Sequence, residues 1–403
     1  MSDFVSADVA VIGLGAFGSA VLYQLARRGV RVIGIDQFVP PHPMGSSHGE
    51  TRITRLAAGE GAAYVPFVRR SHEIWREIED ESGETLLVQT GGLIMAPQDS
   101  AARHHGRENF VRRTLGIAER FGIAHEKLNA AEIAARYPQF MLRGDELGYF
   151  EPTAGMLMPE RCVAAQLCLA ERHGAKLRLN EPATGLAQDG DGVRITTQTG
   201  VVRAARAVLT AGPWMAKLAP ASLRPLARVY RQTLHWFRPQ DSSAYAAGRF
   251  PVFIWMHGEQ EEDYFYGFPT PDGSSGVKVA TETYRRAIDP DEVDRSVSPG
   301  ESARVFAEHV DHRLRGVTAT ALKAATCLYT VTPDSGFIVD DLPGQVRILA
   351  VSACSGHGFK HSAAVGEAVA QRLTEDGSVL DLTPFALRRF DIAATTGRVA
   401  IPR

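Results

Sequence analysis

DVAVIGLGAFGSAVLYQLARRGVRVIGID, residues 8–36, decides the fold. Asp8 to Gly13 is a short, mostly apolar and β-branched run, the pattern of a buried parallel strand. A turn with Gly13, Gly15 and Gly18 follows. Val21, Leu22, Leu25 and Ala26 then recur at helical spacing, and Gly29 closes that helix. VRVIGID reads as a second strand ending on an acid, Asp36. Strand, glycine turn, helix, strand and terminal acid within about 30 residues is the dinucleotide-binding arrangement. Gly13 permits the tight turn, Gly15 lets a pyrophosphate approach the backbone, and Gly18 lets helix pack on strand. The helix N-terminus offers N–H donors and a favourable dipole to phosphate, and Asp36 offers an acceptor to ribose hydroxyls. The motif leaves open whether the ligand is FAD or a nicotinamide dinucleotide.

Downstream, GSSHGETRITRLAAGEG (45–61) is polar and glycine-rich. His48, Arg52 and Arg55 lie at spacings of four and three, so a helical turn would put the arginines on one face. Two readings stand: a solvated loop, or an anion-binding wall suited to a substrate carboxylate. Residues 64–83 read as an amphipathic helix, TLLVQTGGLIMAP as a strand pair broken at Gly91-Gly92, and 98–138 as charged helix. Pro159 to Gly174 reads as a helix with Cys162 and Cys168 on its apolar side, both core thiols. Strands follow from Ala175, with a hairpin at Asp189 to Gly192. Ala205 to Trp214 is an apolar strand that returns to the nucleotide sheet, which implies a discontinuous domain.

Residues 220–320 alternate and are rich in aromatics, as expected of a second domain built on an antiparallel sheet. Lys278 opposes Val277 and Val279 on one such strand, and its ordinary reading is a solvent-facing lysine. Residues 326–340 give strand, turn at Pro333-Asp334 and strand, with Cys327 by default a structural thiol. Then RILAVSACSGHGFK leads into a helix near His361. This second strand–glycine–helix junction brings Gly356, Gly358 and Lys360 to a helix N-terminus facing a cofactor.

Composition bounds the rest. The chain has 403 residues, 44% hydrophobic and 22% charged, which excludes a disordered chain and predicts two or three domains. A net charge of −2 shows no basic excess for nucleic acid. Four cysteines without a CxxC pair make neither a disulfide scaffold nor a zinc site, so no metal is expected. The uncharged run Val9 to Ala26 holds three glycines and is preceded by Asp3 and Asp8, unlike a membrane span or secretory signal. A cytoplasmic protein without membrane or nucleic-acid partners is expected.

VIGLGAFGSA, GSSHGETRITR, FYGFP, CLYTVTPDSGFIVD and SGHGFK together resemble the monomeric sarcosine oxidase and N-methyltryptophan oxidase family, amino-acid oxidase type flavoproteins. The resemblance spans nearly the whole chain. It implies an α/β and α+β architecture: a doubly wound, Rossmann-like FAD-binding domain (1–85, 145–218, 321–390) interleaved with an antiparallel-sheet substrate domain (86–144, 219–320). It implies FAD held at Gly13, Gly15, Gly18 and Asp36 and joined covalently through Cys327, reversing the structural default for that thiol. By the same resemblance Lys278 and Arg52 stand at the oxygen site, Arg55 and Lys360 grip the substrate carboxylate, and His48 and Tyr266 line the cavity. The implied reaction oxidises an N-methyl amino acid to an imine, with O2 reduced to H2O2, in a monomer. Rates should rise with pH, because oxidation needs the neutral amine.

Two departures touch the substrate. Ser47-His48 stands where the family has two histidines, and Glu282 replaces a family histidine four residues after the lysine. Glu282 either favours a substrate with added positive charge or pairs with a nearby Arg285. A cyclic or bulky secondary amine (pipecolate, N-methyl-tryptophan) is the alternative substrate. An NAD(P)-dependent dehydrogenase would account for residues 9–36 alone, and a flavin-binding sensor would leave the Arg55–Lys360 clamp without a use.

Overall fold

A computed structural model describes residues 5–390 except 101–103, 261, 272, 274, 275 and 376. The strand Val5–Ile12 lies between Val32–Ile35 and Gly200–Leu209, parallel to both. Lys176–Arg178 extends the sheet on one side and Gln345–Ser352 on the other, also parallel. The hairpin Ala183–Asp189 and Gly192–Thr197 and the strand Ile338–Leu342 add antiparallel edges. Central strands buried on both faces carry the continuous apolar runs that such a sheet requires. The helix Ala16–Ala26 is buried almost all round, against Pro159–Arg172 and Ser362–Thr374. A Cβ on Gly366 would stand 2.5 Å from Ala20 Cβ, so two of these helices cross at small residues.

The glycine turn is tight for reasons visible in its contacts. Gly13 has φ +91°, and Thr210 Oγ1 donates to its carbonyl at 2.6 Å. A Cβ at Gly18 would lie 1.8 Å from Gly13 O, so only glycine lets the helix start this close to the strand.

The second sheet has eight strands, ordered Val317–Val331, Arg228–Pro239, Val277–Ala280, Tyr264–Phe268, Val252–Met256, Gly92–Pro97, Glu146–Glu151 and Glu126–Asn129. Only the Val252–Met256 and Gly92–Pro97 pair is parallel. Two-residue alternation sorts its side chains. Phe237, Phe253, Trp255, Phe265, Val277 and Val279 pack in a far-side core. Trp236, Ile254, Tyr264, Tyr266, Phe268 and Ala280 turn to the face shared with the first sheet. A three-stranded sheet of Arg52–Thr54, Gly155–Leu157 and Leu87–Gln89 sits beside them.

Several sequence expectations are corrected. Residues 98–138 are not one helical stretch: they hold helices Phe110–Arg120 and Ala130–Arg136, the strand Glu126–Asn129 and a His104–Arg107 bridge, while 101–103 fall outside the described residues. Charged composition alone did not separate helix from turn. Leu87–Gln89 and Gly92–Pro97 do not pair with each other but join different sheets. Cys162 is buried, whereas Cys168 is exposed, about a third of a turn away around the helix. The alternating strands break off after Ala280 and resume only at Val317, with the helix Pro299–Val305 between them. Among the described residues no helix is long and apolar enough to cross a membrane.

Gly18→Ala is expected to destabilise the fold by about 3 kcal/mol, the upper range for overpacking, because its Cβ would meet the Gly13 carbonyl, backbone that cannot turn away, as well as Thr210 Oγ1. Urea unfolding checks this; a loss no larger than that of Gly116→Ala, whose surroundings are open, would contradict the packing argument.

Candidate active site

A cavity of about 320 Å³ opens between the two large sheets. Gly13, Gly15 and Asp36 line one end and Arg55, Tyr266 and Lys360 the other. The first end fits a dinucleotide. Asp36 is buried, and its carboxylate accepts from the Leu14 and Phe38 amides at 2.7 and 2.8 Å. A carboxylate has about four acceptor positions, so capacity remains for hydroxyls. A Cβ at Gly15 would come within 3.2 Å of Ser47 Oγ and narrow the approach to the helix N-terminus. Gly18 is not on the wall; its part is the packing described above. Gly356 and Gly358 line the wall at the later turn, and a Cβ on Gly358 would lie 1.7 Å from Ala353 O.

At the other end Arg55 and Lys360 converge on a third residue, Glu60. Arg55 donates from NH2 to both Glu60 oxygens at 2.9 and 3.0 Å and from NH1 to Ala57 O. Lys360 Nζ donates to His357 O at 2.8 Å and lies 3.4 Å from Glu60 Oε1. All three are nearly inaccessible to water. Burial works to raise the Glu60 carboxyl, but the charges of Arg55 and Lys360 outweigh it and hold the group well below its usual range. Burial brings Lys360 down to about 8 against the pull of Glu60. Arg52 and Arg55 do not share a helical face. Arg52–Thr54 is a strand, so Arg52 turns toward Cys327 and Arg55 toward Glu60.

Behind the wall lie His48, Cys327 and Lys278, absent from the cavity lining. Lys278 is not solvent-facing: it is 2% exposed. Its Nζ donates to Gly49 O at 2.6 Å, Thr51 O at 2.8 Å and Thr51 Oγ1 at 3.2 Å, using all three ammonium hydrogens. It also sits 4.5 Å from the Phe268 ring centroid. Burial lowers its proton affinity, and Arg52 adds to the effect. The Gly49–Glu50 amides that frame this cage donate to Glu160. Cys327 Sγ is 3.5 Å from Arg52 NH2; burial pushes the thiol up while Arg52 and Lys278 pull it down. His48 falls to about 4, mainly through burial and then Arg52, so its imidazole is neutral. Tyr266 OH meets Tyr329 OH at 3.0 Å.

Glu282 does line the cavity, but it does not pair with Arg285, which reaches Glu262 at the surface. Its partners are His105, 3.2 Å away, and Tyr284, which donates at 2.7 Å. Sequence reasoning missed His105 and the role of Glu60. Glu60 had a signal, an acid five residues after Arg55. His105 had none once its segment was read as helix.

Comparison with known proteins places these features among relatives. The family described as FAD dependent oxidoreductase matches residues 8–372. The chain is 38% identical over 367 residues to a monomeric sarcosine oxidase of Streptomyces avermitilis, covering 90% of this chain and 92% of the relative. It is 34% identical over 389 residues to an N-methyl-L-tryptophan oxidase of Salmonella arizonae, covering 95% and 99%. Among solved structures, NikD, an amino acid oxidase essential for nikkomycin biosynthesis, superposes with a TM-score of 0.82 at 24% identity, covering 95% of this chain and 97% of that one. L-proline dehydrogenase from P. horikoshii gives 0.78 at 20% identity, covering 99% and 100%. These two likenesses show the fold.

The buried charges set a pH profile for stability. Burial opposes the His105 charge, but Glu282 and Glu60 outweigh it and raise the imidazole to about 9. That contribution is complete below about pH 6.5, the unfolded value, and is lost as pH rises toward 9. Lys360, lowered to about 8, acts in the opposite sense only above that pH. His104, His357 and His361, held well below the usual histidine value by burial, make stability climb as pH approaches 6.5 from below. The His105 part of the unfolding free energy, read as native minus His105→Gln, should therefore fall on the order of 2 kcal/mol between pH 6.5 and about pH 8, while Lys278, whose proton affinity burial lowers, acts in the opposite sense in both proteins. Urea denaturation of the two proteins at a series of pH values checks this. A difference that stays constant over that window would contradict the assignment.

Proposed function

This chain belongs to the FAD-dependent oxidoreductase family, and we propose that it is a flavin-dependent oxidase of secondary-amine amino acids, acting on a sarcosine-like N-methyl amino acid. One observation carries the reading: a single cavity joins the Gly13–Gly15 turn to the Arg55–Lys360 clamp. The 38% identity to a monomeric sarcosine oxidase supports the substrate class. Gly13, Gly15 and Asp36 hold the ADP part of FAD, with Gly18 allowing the turn and the Gly356–Gly358 turn closing over the ring system. FAD held there would supply the acceptor for a hydride equivalent from the carbon beside nitrogen, with O2 as the terminal oxidant and H2O2 as its product. Arg55 and Lys360 orient the substrate by its carboxylate, which fixes the reacting C–H bond. The amine must be neutral for its lone pair to assist, and water then hydrolyses the imine to amino acid and formaldehyde.

The remaining residues have roles in the same reading. Cys327 would hold the flavin through a thioether to its 8α-methyl, with the thiol proton and one methyl proton lost and the two electrons passing through the flavin to O2; the Arg52 guanidinium beside its sulfur would favour the thiolate form. Lys278 and Arg52 supply positive charge on the oxygen side, where reduced oxygen species are anionic. His48 packs neutral beneath that side, and Tyr266 with Tyr329 forms the polar edge of the substrate pocket. The first sheet would bind FAD and the second cover the substrate; the boundaries expected at 145 and 321 need correction, because Glu146–Glu151 and Val317–Val331 both pair within the second sheet. The enzyme works as a cytoplasmic monomer, and four free thiols support a reducing compartment.

Anaerobic bleaching of the flavin by sarcosine, N-methyl-tryptophan, pipecolate and proline tests the function. Fast bleaching by sarcosine is expected; no bleaching by any of the four would overturn the substrate class. The covalent bond has its own test. Acid precipitation of the native protein should leave flavin in the pellet, and Cys327→Ser should release it. Native flavin in the supernatant would remove Cys327 from its role.

A further inference from the structure

His105 and Glu282 are unused by the reaction as described, yet they sit at its substrate end. Glu282 follows the strand Val277–Ala280, and His105 comes from the His104–Arg107 bridge. The His105 and Glu282 side chains are 5% and 6% exposed. His105 Nε2 lies 3.2 Å from Glu282 Oε2, and its Nδ1 lies 3.5 Å from Glu60 Oε1. A Cβ on Gly356 would meet His105 Nε2 at 2.8 Å, Tyr284 OH at 3.1 Å and Glu282 Oε1 at 3.2 Å. The pair is thus pressed against the turn that carries Lys360, and both members line the same cavity as the Arg55–Lys360 clamp.

Other groups facing His105 do not change its charge. The His104 ring lies 3.8 Å away, centre to centre, and the His357 ring 5.1 Å away. Burial holds both neutral. A buried carboxylate needs a cation. Of the described residues, His105 is the cation at ion-pair distance from Glu282, because Arg285 is turned to the surface. With His105 protonated, Arg55, Lys360 and His105 face Glu60 and Glu282. One positive charge is left over. An incoming carboxylate cancels it, and no charge remains to balance a charged side chain or a protonated amine.

We propose that His105 is a specificity-determining residue: it cancels Glu282, so the site takes an amino acid whose side chain is uncharged. Glu282 therefore does not select an added positive charge while His105 is present. The inference rests on the amine-oxidase reading above.

The test uses the flavin-loaded enzyme and three N-methyl amino acids: N-methyl-norleucine, Nα-methyl-lysine and N-methyl-glutamate. The native enzyme should reduce its flavin about tenfold or more faster, per molar, with the uncharged substrate than with either charged one. His105→Gln leaves Glu282 unpaired, and the lysine-to-norleucine ratio of kcat/KM should rise about tenfold. Adding Glu282→Gln to that variant should return the ratio to the native value, a rescue that a merely structural defect would not give. Glu282→Gln alone leaves His105 as an extra cation and should raise the glutamate-to-norleucine ratio. If His105→Gln does not fold, this last variant decides. Ratios unchanged in the variants that fold, or no rescue in the double variant, overturn the proposal. Bleaching of native flavin by none of the three, nor by sarcosine, would instead count against the amine-oxidase reading, and bleaching by sarcosine alone would leave that reading standing. The proposal would then be read from calorimetric binding of thioether carboxylates with uncharged and ammonium-ended tails, in which His105→Gln should shift the affinity ratio in the same direction.

Discussion

Carboxylates hold the segment 49–60 in place, and the whole cleft depends on that segment. Glu160, on the helix of the first domain, accepts from the Gly49 and Glu50 amides. Glu151, on a strand of the second sheet and fully buried, accepts from the Leu56 and Ala57 amides at 2.7 and 3.1 Å and from Tyr149 OH at 2.6 Å. Glu60 then folds back onto Arg55. An irregular stretch in the interior would otherwise leave backbone donors unpaired, at a cost of about 1–3 kcal/mol each. Fixed this way, its carbonyls can cage Lys278 on one side while Arg55 is presented on the other.

The site shows how low dielectric turns a few groups into a single unit. Glu60 touches Arg55 and Lys360, lies near His105, and through His105 is linked to Glu282. No member can change charge without shifting the others. The aromatic face of the second sheet and the buried helices of the first seal this unit from water, which makes the interactions strong enough to govern what enters.

What could be read from the sequence was local. The glycine turn and Asp36 fall within one stretch of chain, and the turn's constraint, helix against strand at Gly18, is the physics the motif encodes. The aromatic alternation expected over residues 220–320 did mark a sheet, although the strands break off between Ala280 and Val317, and the direction of Lys278 relative to Val277 and Val279 came out as expected. Its burial did not, because the acceptors that enclose it lie 229 and 227 residues away. Glu282 was singled out as unusual, yet its partner is 177 residues distant, on a segment whose charges imitate a helix. Spacing carries no information about such pairings. The placement of Cys168 failed for a simpler reason: six residues along a helix is not one face.

The order of strands has a consequence for synthesis. The strand Val5–Ile12 waits for Gly200–Leu209, and that strand waits for Gln345–Ser352. A growing chain therefore carries an unpaired parallel edge until Gln345–Ser352 has left the ribosome. Exposed edges of this kind template wrong pairings, and such non-local contacts form slowly. The same delay withholds Lys360 from Glu60, so a nascent chain shorter than 360 residues lacks the assembled clamp. The topology keeps the substrate end of the cleft unassembled until the segment that carries Lys360 has emerged.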